Sequence, residues 1–563
     1  MIRKFFWAVG ISIFGLFFIS GCAVNRPLNV HVDSQVKVPQ RRVILFLVDG
    51  MRADLTQQMI EQGELPNIKK YLYDRGCHVE NGVSVVPSIT YAAITSIVTG
   101  CYPGHHDVMG NKWFDRISGK YQNYMHIRSY QMVDQEIHAT TLYEVLDDKY
   151  TVTIQTAHRR GASRPYDNWM SSGINYFFHL YEENDRLVAK RFEQISSCAA
   201  QNGRWPDFIL TYFPGVDEIG HCYRANSEQY KHALINIDTQ IGRICGAMES
   251  NGILDDYYLV LVSDHGHNAM RQKCRWQPKD YFQKKLDVPL VYKWYNDQGN
   301  SCEWHKYLND YRVVLINGGT RHFHLHLRCS DSWIDEPSFE QVRHFLKDYY
   351  PQALNATGGR DLVDALADQE SVELLVAKVG TNAVLVKNKQ YQAMIIRRIE
   401  PNGNKVYNYH LMTGDPLNYS KFPSTASLVG SGFYDAKTWL DASCQSKYPN
   451  FVPAVMEMFD SHRAGQIVGF AAEGWNFDHK NLGGHGSIIR EDMIVPFMIS
   501  GPKIPPGSTL CTARLVDVMP TVLDMLGQHD RLEKINPIDG QSLLPELIKR
   551  PATTQPATTQ AVR

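Results

Sequence analysis

The chain is short of several things that would have fixed its class at once. Its eleven cysteines contain no pair at C-x-x-C spacing, which excludes the usual thiolate zinc clusters. There is no basic block outside the extreme N-terminus, and the net charge is −1. A nucleic-acid polymer is therefore not expected as a main partner, because phosphate-backbone binding needs concentrated Lys and Arg. What remains is an ordinary globular composition, 44% apolar and 21% charged over 563 residues, enough for one large domain with insertions or for two domains.

The first residues read as a targeting segment. Arg3 and Lys4 precede an apolar run, Phe5 to Ile19, that is too short for a comfortable membrane span. The following Ile19-Ser20-Gly21-Cys22 resembles a bacterial lipobox, which implies lipidation of Cys22; an uncleaved signal anchor is the alternative. Either reading puts the body of the protein outside the cytoplasm, tethered to a bacterial membrane, with 1–22 as leader and 23–40 as a polar tether. Export permits disulfides, but sequence does not assign their pairing. At the other end, 549–563 is a low-complexity tail expected to be disordered.

Between these ends, buried-strand patterns recur. Arg42 to Val48 is a continuous apolar run closed by Asp49-Gly50, Asp207 to Phe213 leads into Asp217, and Tyr258 to Ser263 ends in Asp264-His265. Such runs suit a parallel sheet covered on both faces. Their acidic groups then fall at strand C-termini, where open α/β sheets place ligands. Asp217 and His221, four apart, share a face if that segment is helical. Helices are expected over Leu55–Tyr73 and Phe339–Tyr350, and Ala233, Leu234, Ile237, Ile241 and Ile244 recur at helical spacing as core. From about 270 to 480 the pattern is mixed, with a strand meander at Ala377–Ile399 and Lys405–Leu411. That region both extends the sheet and forms a lobe over the site. The run His322-Phe323-His324-Leu325-His326 puts its histidines on one strand face and reads as structural or solvent-facing rather than metal-binding.

Val85 to Gly100 organises the rest. A proline-bearing approach turns into a short helix beginning near Thr90 and stopping at Gly100. A helix N-terminus favours an anion through its free N–H groups and dipole; a threonine there is also an ordinary N-cap. Together with Asp49, Asp217, His221, Asp264, His265 and the glycine-flanked His485, Thr90 completes a set of carboxylates, imidazoles and one hydroxyl. Without thiolates, this set suits zinc or a similar divalent ion, and six such ligands exceed one tetrahedral site, so two ions are implied.

These motifs resemble the alkaline phosphatase superfamily, and within it the type I phosphodiesterase / nucleotide pyrophosphatase branch. The resemblance spans most of residues 41–547. It rests on Val48-Asp49-Gly50, Pro87 to Gly100 with Tyr102-Pro103, Asp217 to His221, Ser263 to Gly266, Gly484-His485-Gly486, Asp517 to Thr521 and Asp539 to Leu544. It implies an alkaline-phosphatase-like α/β fold over 41–548, with a mostly parallel sheet between helical layers and an inserted α+β lobe. It also implies one ion on Asp217, His221 and His485, a second on Asp49, Asp264, His265 and Thr90, a phospho-threonine on Thr90, and Asn111 as a donor to a phosphoryl oxygen. The implied activity is hydrolysis of a small-molecule phosphodiester or pyrophosphate; phosphomonoesterase or phosphotransferase chemistry on the same site, and a binding module that has lost activity, are the competitors. The branch commonly has Thr-Phe-Pro-Asn-His where this chain has Thr90-Tyr91-Ala92-Ala93-Ile94, and His-Gly where it has His106-Asp107. Specificity is therefore not carried over, and pocket walls are expected from Lys112-Trp113-Phe114 and the inserted region. A sulfatase is disfavoured because Thr90 stands in no Cys/Ser-x-Pro-x-Arg motif.

Overall fold

The computed structural model describes residues 41–126, 129–167, 169–271, 274–292, 308–478 and 480–549. The leader, the tether with Cys22, and all but the first residue of the tail lie outside them.

The strand Arg42–Val48 sits centrally in a nine-stranded mixed sheet. It pairs in parallel with Phe208–Phe213 on one side and Tyr257–Ser263 on the other. Thr151–Ile154 and Arg164–Tyr166 continue one flank in parallel, whereas on the other Phe497–Ser500 runs antiparallel to its neighbours and Gly76–Val83, beyond it, returns to the direction of the central strand. Side chains alternate across a strand, and both faces of the central one are dry. Val43, Leu45 and Leu47 join one apolar cluster, which holds Ile94, Ile97 and Val98 of the helix Thr90–Thr99. Ile44, Phe46 and Val48 join another, with all five core positions expected on the helix Glu228–Ser250. This double coverage is why the strand reads as an unbroken apolar run.

A second, eight-stranded sheet is built from residues 313–471, and its named pairings are antiparallel throughout. Its strands include the expected meander, resolved as Val372–Gly380, Ala383–Lys387, Gln392–Ile399 and Lys405–Leu411. Leu374 and Val376 pack into the same cluster as Leu45, so the two sheets share a core.

Four expectations change or are refined. Among the described residues, the region from about 270 to 480 does not extend the first sheet, because its long strands pair with one another in the second. The helical stretch over Leu55–Tyr73 resolves into two pieces, Ala53–Glu61 and a second starting at Pro66; Gly63 at φ +78° separates them, and proline suits the first turn of the next. His322, His324 and His326 are all buried, because other elements cover that face; the solvent-facing option is wrong and the structural one stands. Trp113 and Phe114 are also buried, on the strand Lys112–Asp115, and do not wall an open pocket. Among the described residues, nine cysteines are free thiols.

One ionic clamp ties the turn after the Thr90 helix to the second sheet. His105, in the turn after the Thr90 helix, has Nδ1 2.6 Å from Asp539 and Nε2 3.0 Å from both Glu457 and Asp460. Arg397 of the second sheet pairs with the same Glu457 and Asp460. Burial alone would depress the His105 pKa, but hydrogen bonds to Asp460, Asp539 and Glu457 prevail and push it up to about 11. Stability from this raised pKa is therefore complete below the ordinary 6.5 and lost as pH rises through about 11. His105→Gln is expected to lower stability near neutral pH by about 2 kcal/mol. Thermal unfolding of both proteins from pH 7 to 11 checks this, because the gap must close at the alkaline end.

Candidate active site

Strand register builds the site. Val48 lies opposite both Phe213 and Ser263, so the three parallel strands end level and Asp49, the Pro214 turn and Asp264 emerge side by side. Gly50 follows at φ +66°, and a Cβ there would come within 2.8 Å of Asp217 Oδ1. Only glycine allows that approach. Its N–H donates to Asp264 Oδ1 at 3.1 Å, as does the His265 N–H at 2.9 Å. The helix Gly215–Tyr223 then presents Asp217 and His221 on one face, with Asp217 Oδ2 3.2 Å from His221 Nε2.

Thr90 is the first residue of its helix and does not cap it. Ile89 occupies the cap position in an extended conformation without a side-chain bond. That leaves the Thr90 hydroxyl available, and Oγ1 stands 3.2 Å from His265 Nε2. The same nitrogen is 3.3 Å from Asp49 Oδ1 and 3.3 Å from Asp264 Oδ2. His485 Nε2 is 3.6 Å from Asp217 Oδ1, and the His485 and His265 rings stack at 3.5 Å. The seven metal-ligand candidates therefore converge. Asn111 joins them at the helix start, where its Oδ1 accepts the Tyr91 N–H at 3.2 Å, which leaves its NH₂ group to donate.

The tautomers point the same way. His221, His265 and His485 each have Nδ1 on a backbone carbonyl (Gly483, Gly266 and Ser88, at 3.1, 2.9 and 3.1 Å), which turns each Nε2 lone pair inward. Asp49 Oδ1, Asp217 Oδ1 and Asp264 Oδ2 are buried without any hydrogen-bond partner. Burial raises the Asp49 pKa well above the carboxylate range, with the Asp217 charge adding to it; burial and the Asp49 charge do the same to Asp264. Orphaned buried oxygens facing inward nitrogens are costly without a cation between them. Their 3.2–3.6 Å spacings also match the roughly 3.3 Å that separates N and O donors around a tetrahedral zinc ion. The donor set fits divalent metal.

A sequence model of the family described as "Type I phosphodiesterase / nucleotide pyrophosphatase" matches residues 43–488. The chain belongs to that family. An uncharacterized pyrophosphatase/phosphodiesterase of Schizosaccharomyces pombe is 26% identical over 263 residues, covering 45% of this chain and 48% of that protein. Human ectonucleotide pyrophosphatase/phosphodiesterase family member 5 is 22% identical over 266 residues, covering 46% and 51%. The matched part thus spans about half the length of these relatives. The solved murine family member 5 superposes on 90% of this chain and 99% of its own, with a TM-score of 0.53 at 14% identity, which establishes the alkaline-phosphatase-like fold.

Three groups at the site carried no signal of their own in the sequence. Tyr212 donates its hydroxyl to Asp49 Oδ2. Tyr176 has a half-exposed ring and a hydroxyl whose pKa is pushed well up by burial and by Glu218, Asp49, Asp185 and Asp217. His267 lies beside Asp217 and His221; it follows Asp264-His265-Gly266 directly and was hidden behind that motif.

Proposed function

We propose that this chain is a metal-dependent hydrolase of phosphodiester or pyrophosphate bonds that works through a phospho-threonine on Thr90. The observation that carries the reading is the Thr90 hydroxyl at a helix N-terminus, 3.2 Å from His265, among buried carboxylate oxygens without partners. Asp217, His221 and His485 would hold one divalent ion, and Asp49, Asp264, His265 and Thr90 a second, with zinc the best match to the donors. Bound ions supply Lewis acidity, which makes an alcohol reactive near neutral pH and offsets charge on a leaving oxygen.

The chain's own groups do the rest. The Thr90 hydroxyl gives its proton to solvent and its oxygen attacks phosphorus in line; the bond to the leaving alcohol or phosphate breaks, that group takes up a proton from solvent, and Thr90 holds the phosphoryl group with its other substituent still attached. The Asn111 NH₂ group donates to a non-bridging oxygen as negative charge builds, and the helix dipole favours the same anion. Water then cleaves the phospho-threonine and restores Thr90. Nucleotides are the substrate class that the relatives favour. A murine family member 5 structure is described as an inactive threonine-to-alanine variant in complex with AMP, and a relative from Pongo abelii is named a bis(5'-adenosyl)-triphosphatase. We place the enzyme outside the cytoplasm, anchored by lipid on Cys22.

A phosphomonoesterase on the same groups is the second reading. Comparing bis-nitrophenyl phosphate with nitrophenyl phosphate separates the two. The diester is expected to be hydrolysed at least about tenfold faster in kcat/KM, a difference of about 1.4 kcal/mol in barrier; a faster monoester would reverse the preference.

A further inference from the structure

His267 has no place in the ligand set implied by the motifs, yet the fold goes to some length to hold it. It is fully buried. Its Nε2 is 3.5 Å from Asp217 Oδ1, the carboxylate oxygen that has no hydrogen-bond partner. Neither of its own ring nitrogens completes a hydrogen bond, although the Asn268 carbonyl bears on the ring. A buried imidazole left this way costs free energy that nothing among the described residues returns.

The ring occupies a slot made by two glycines. A Cβ on Gly220 would meet His267 Nε2 at 2.8 Å, and one on Gly483 would meet its Cε1 at 2.5 Å. Gly220 lies between Asp217 and His221 on their helix, and the Gly483 carbonyl is the group that fixes His221 Nδ1. The elements that shape the Asp217 site are therefore the ones that make room for this ring. His267 and His221 stand with centroids 4.9 Å apart, and His267 and His485 5.8 Å apart.

We propose that His267 is a fourth protein ligand of the ion held by Asp217, His221 and His485, which makes that site the tighter and more zinc-selective of the two. The inference rests on the two-ion reading above. The 3.5 Å separation from Asp217 is that of neighbouring donors around one zinc ion, which with four protein ligands would take a substrate oxygen as a fifth, and is long for a direct hydrogen bond. Three imidazoles and one carboxylate favour zinc, whereas the Asp49 site, with two carboxylates, one imidazole and an alcohol, tolerates harder ions such as manganese or magnesium.

Metal-stripped full-length protein, titrated with zinc against a chromophoric chelator, tests this without any activity assay. The parent is expected to show two sites at least about tenfold apart in Kd. His267→Ala should weaken the tighter one by about tenfold or more and leave the other unchanged. With cobalt in place of zinc, the intense visible bands of a tetrahedral site should diminish in the variant. Melting of the metal-free proteins controls for folding, and His267→Gln replaces the alanine variant if that one does not fold. Unchanged zinc affinity and cobalt bands in the folded variant would make His267 a packing residue and overturn the proposal. A parent that binds fewer than two zinc ions per chain would instead overturn the two-ion reading on which it stands.

Discussion

Thr90→Ala is expected to reduce diester turnover by about a thousandfold or more, with zinc content largely intact on the three remaining ligands of its ion and the melting temperature within a few degrees of the parent. The structure separates the chemical role of Thr90 from its structural one. Ile89, not Thr90, occupies the cap position, so alanine costs the helix no capping bond, and it is the strongest helix former. Thr90 is buried, and the substitution removes only an oxygen and a methyl group. The lost contact to His265 is worth about 1 kcal/mol as an ordinary hydrogen bond. Steady-state kinetics, metal analysis and thermal unfolding on one preparation check all three parts. A variant that keeps a tenth of the parental rate would move the nucleophile elsewhere. In the parent, acid quench during turnover should trap on Thr90 a phosphoryl group that still carries the substrate's second substituent.

Removing metal should be nearly as severe. Dialysis against a strong chelator is expected to lower activity by about a hundredfold or more, and added zinc should restore it; turnover that persists without metal would contradict the mechanism. The ion-free site also fixes the sign of a pH effect. Burial and mutual charge hold the Asp49 and Asp264 pKa values above the usual carboxylate range. The folded, metal-free protein therefore carries protons there that must leave before the oxygens can ligate. Zinc affinity accordingly rises with pH until both are ionised and is lost as pH falls through those raised values. Calorimetric titration in two buffers of different ionisation enthalpy reads the released protons directly. Equal apparent enthalpies in the two buffers would show that none are released.

Much of the site was legible because its parts obey local rules. Asp49 and Asp264 announce themselves by closing buried strands, and the four-residue spacing of Asp217 and His221 is visible once a helix is assumed. His485 is different: it lies in a loop with no periodicity, and only its glycine neighbours and the family resemblance single it out. His267 had neither help, since its partners Gly220 and Gly483 come from distant parts of the chain. The buried histidines on His322–Leu327 make the same point about faces. Alternation assigns them to one side of a strand but does not say what covers it, and here Ile89, Gly318 and Gly486 crowd His322 while Phe114 meets His326 edge-on. The break before Pro66, by contrast, is local chemistry: Gly63 ends one helical piece and proline opens the next.

The His105 clamp bears on how the second sheet is held. Glu457 and Asp460 are gripped from one side by His105 and from the other by Arg397, and both sheets share one interior. Any movement that drew the second sheet away from the turn after the Thr90 helix would have to break these ion pairs together and leave buried charges uncompensated.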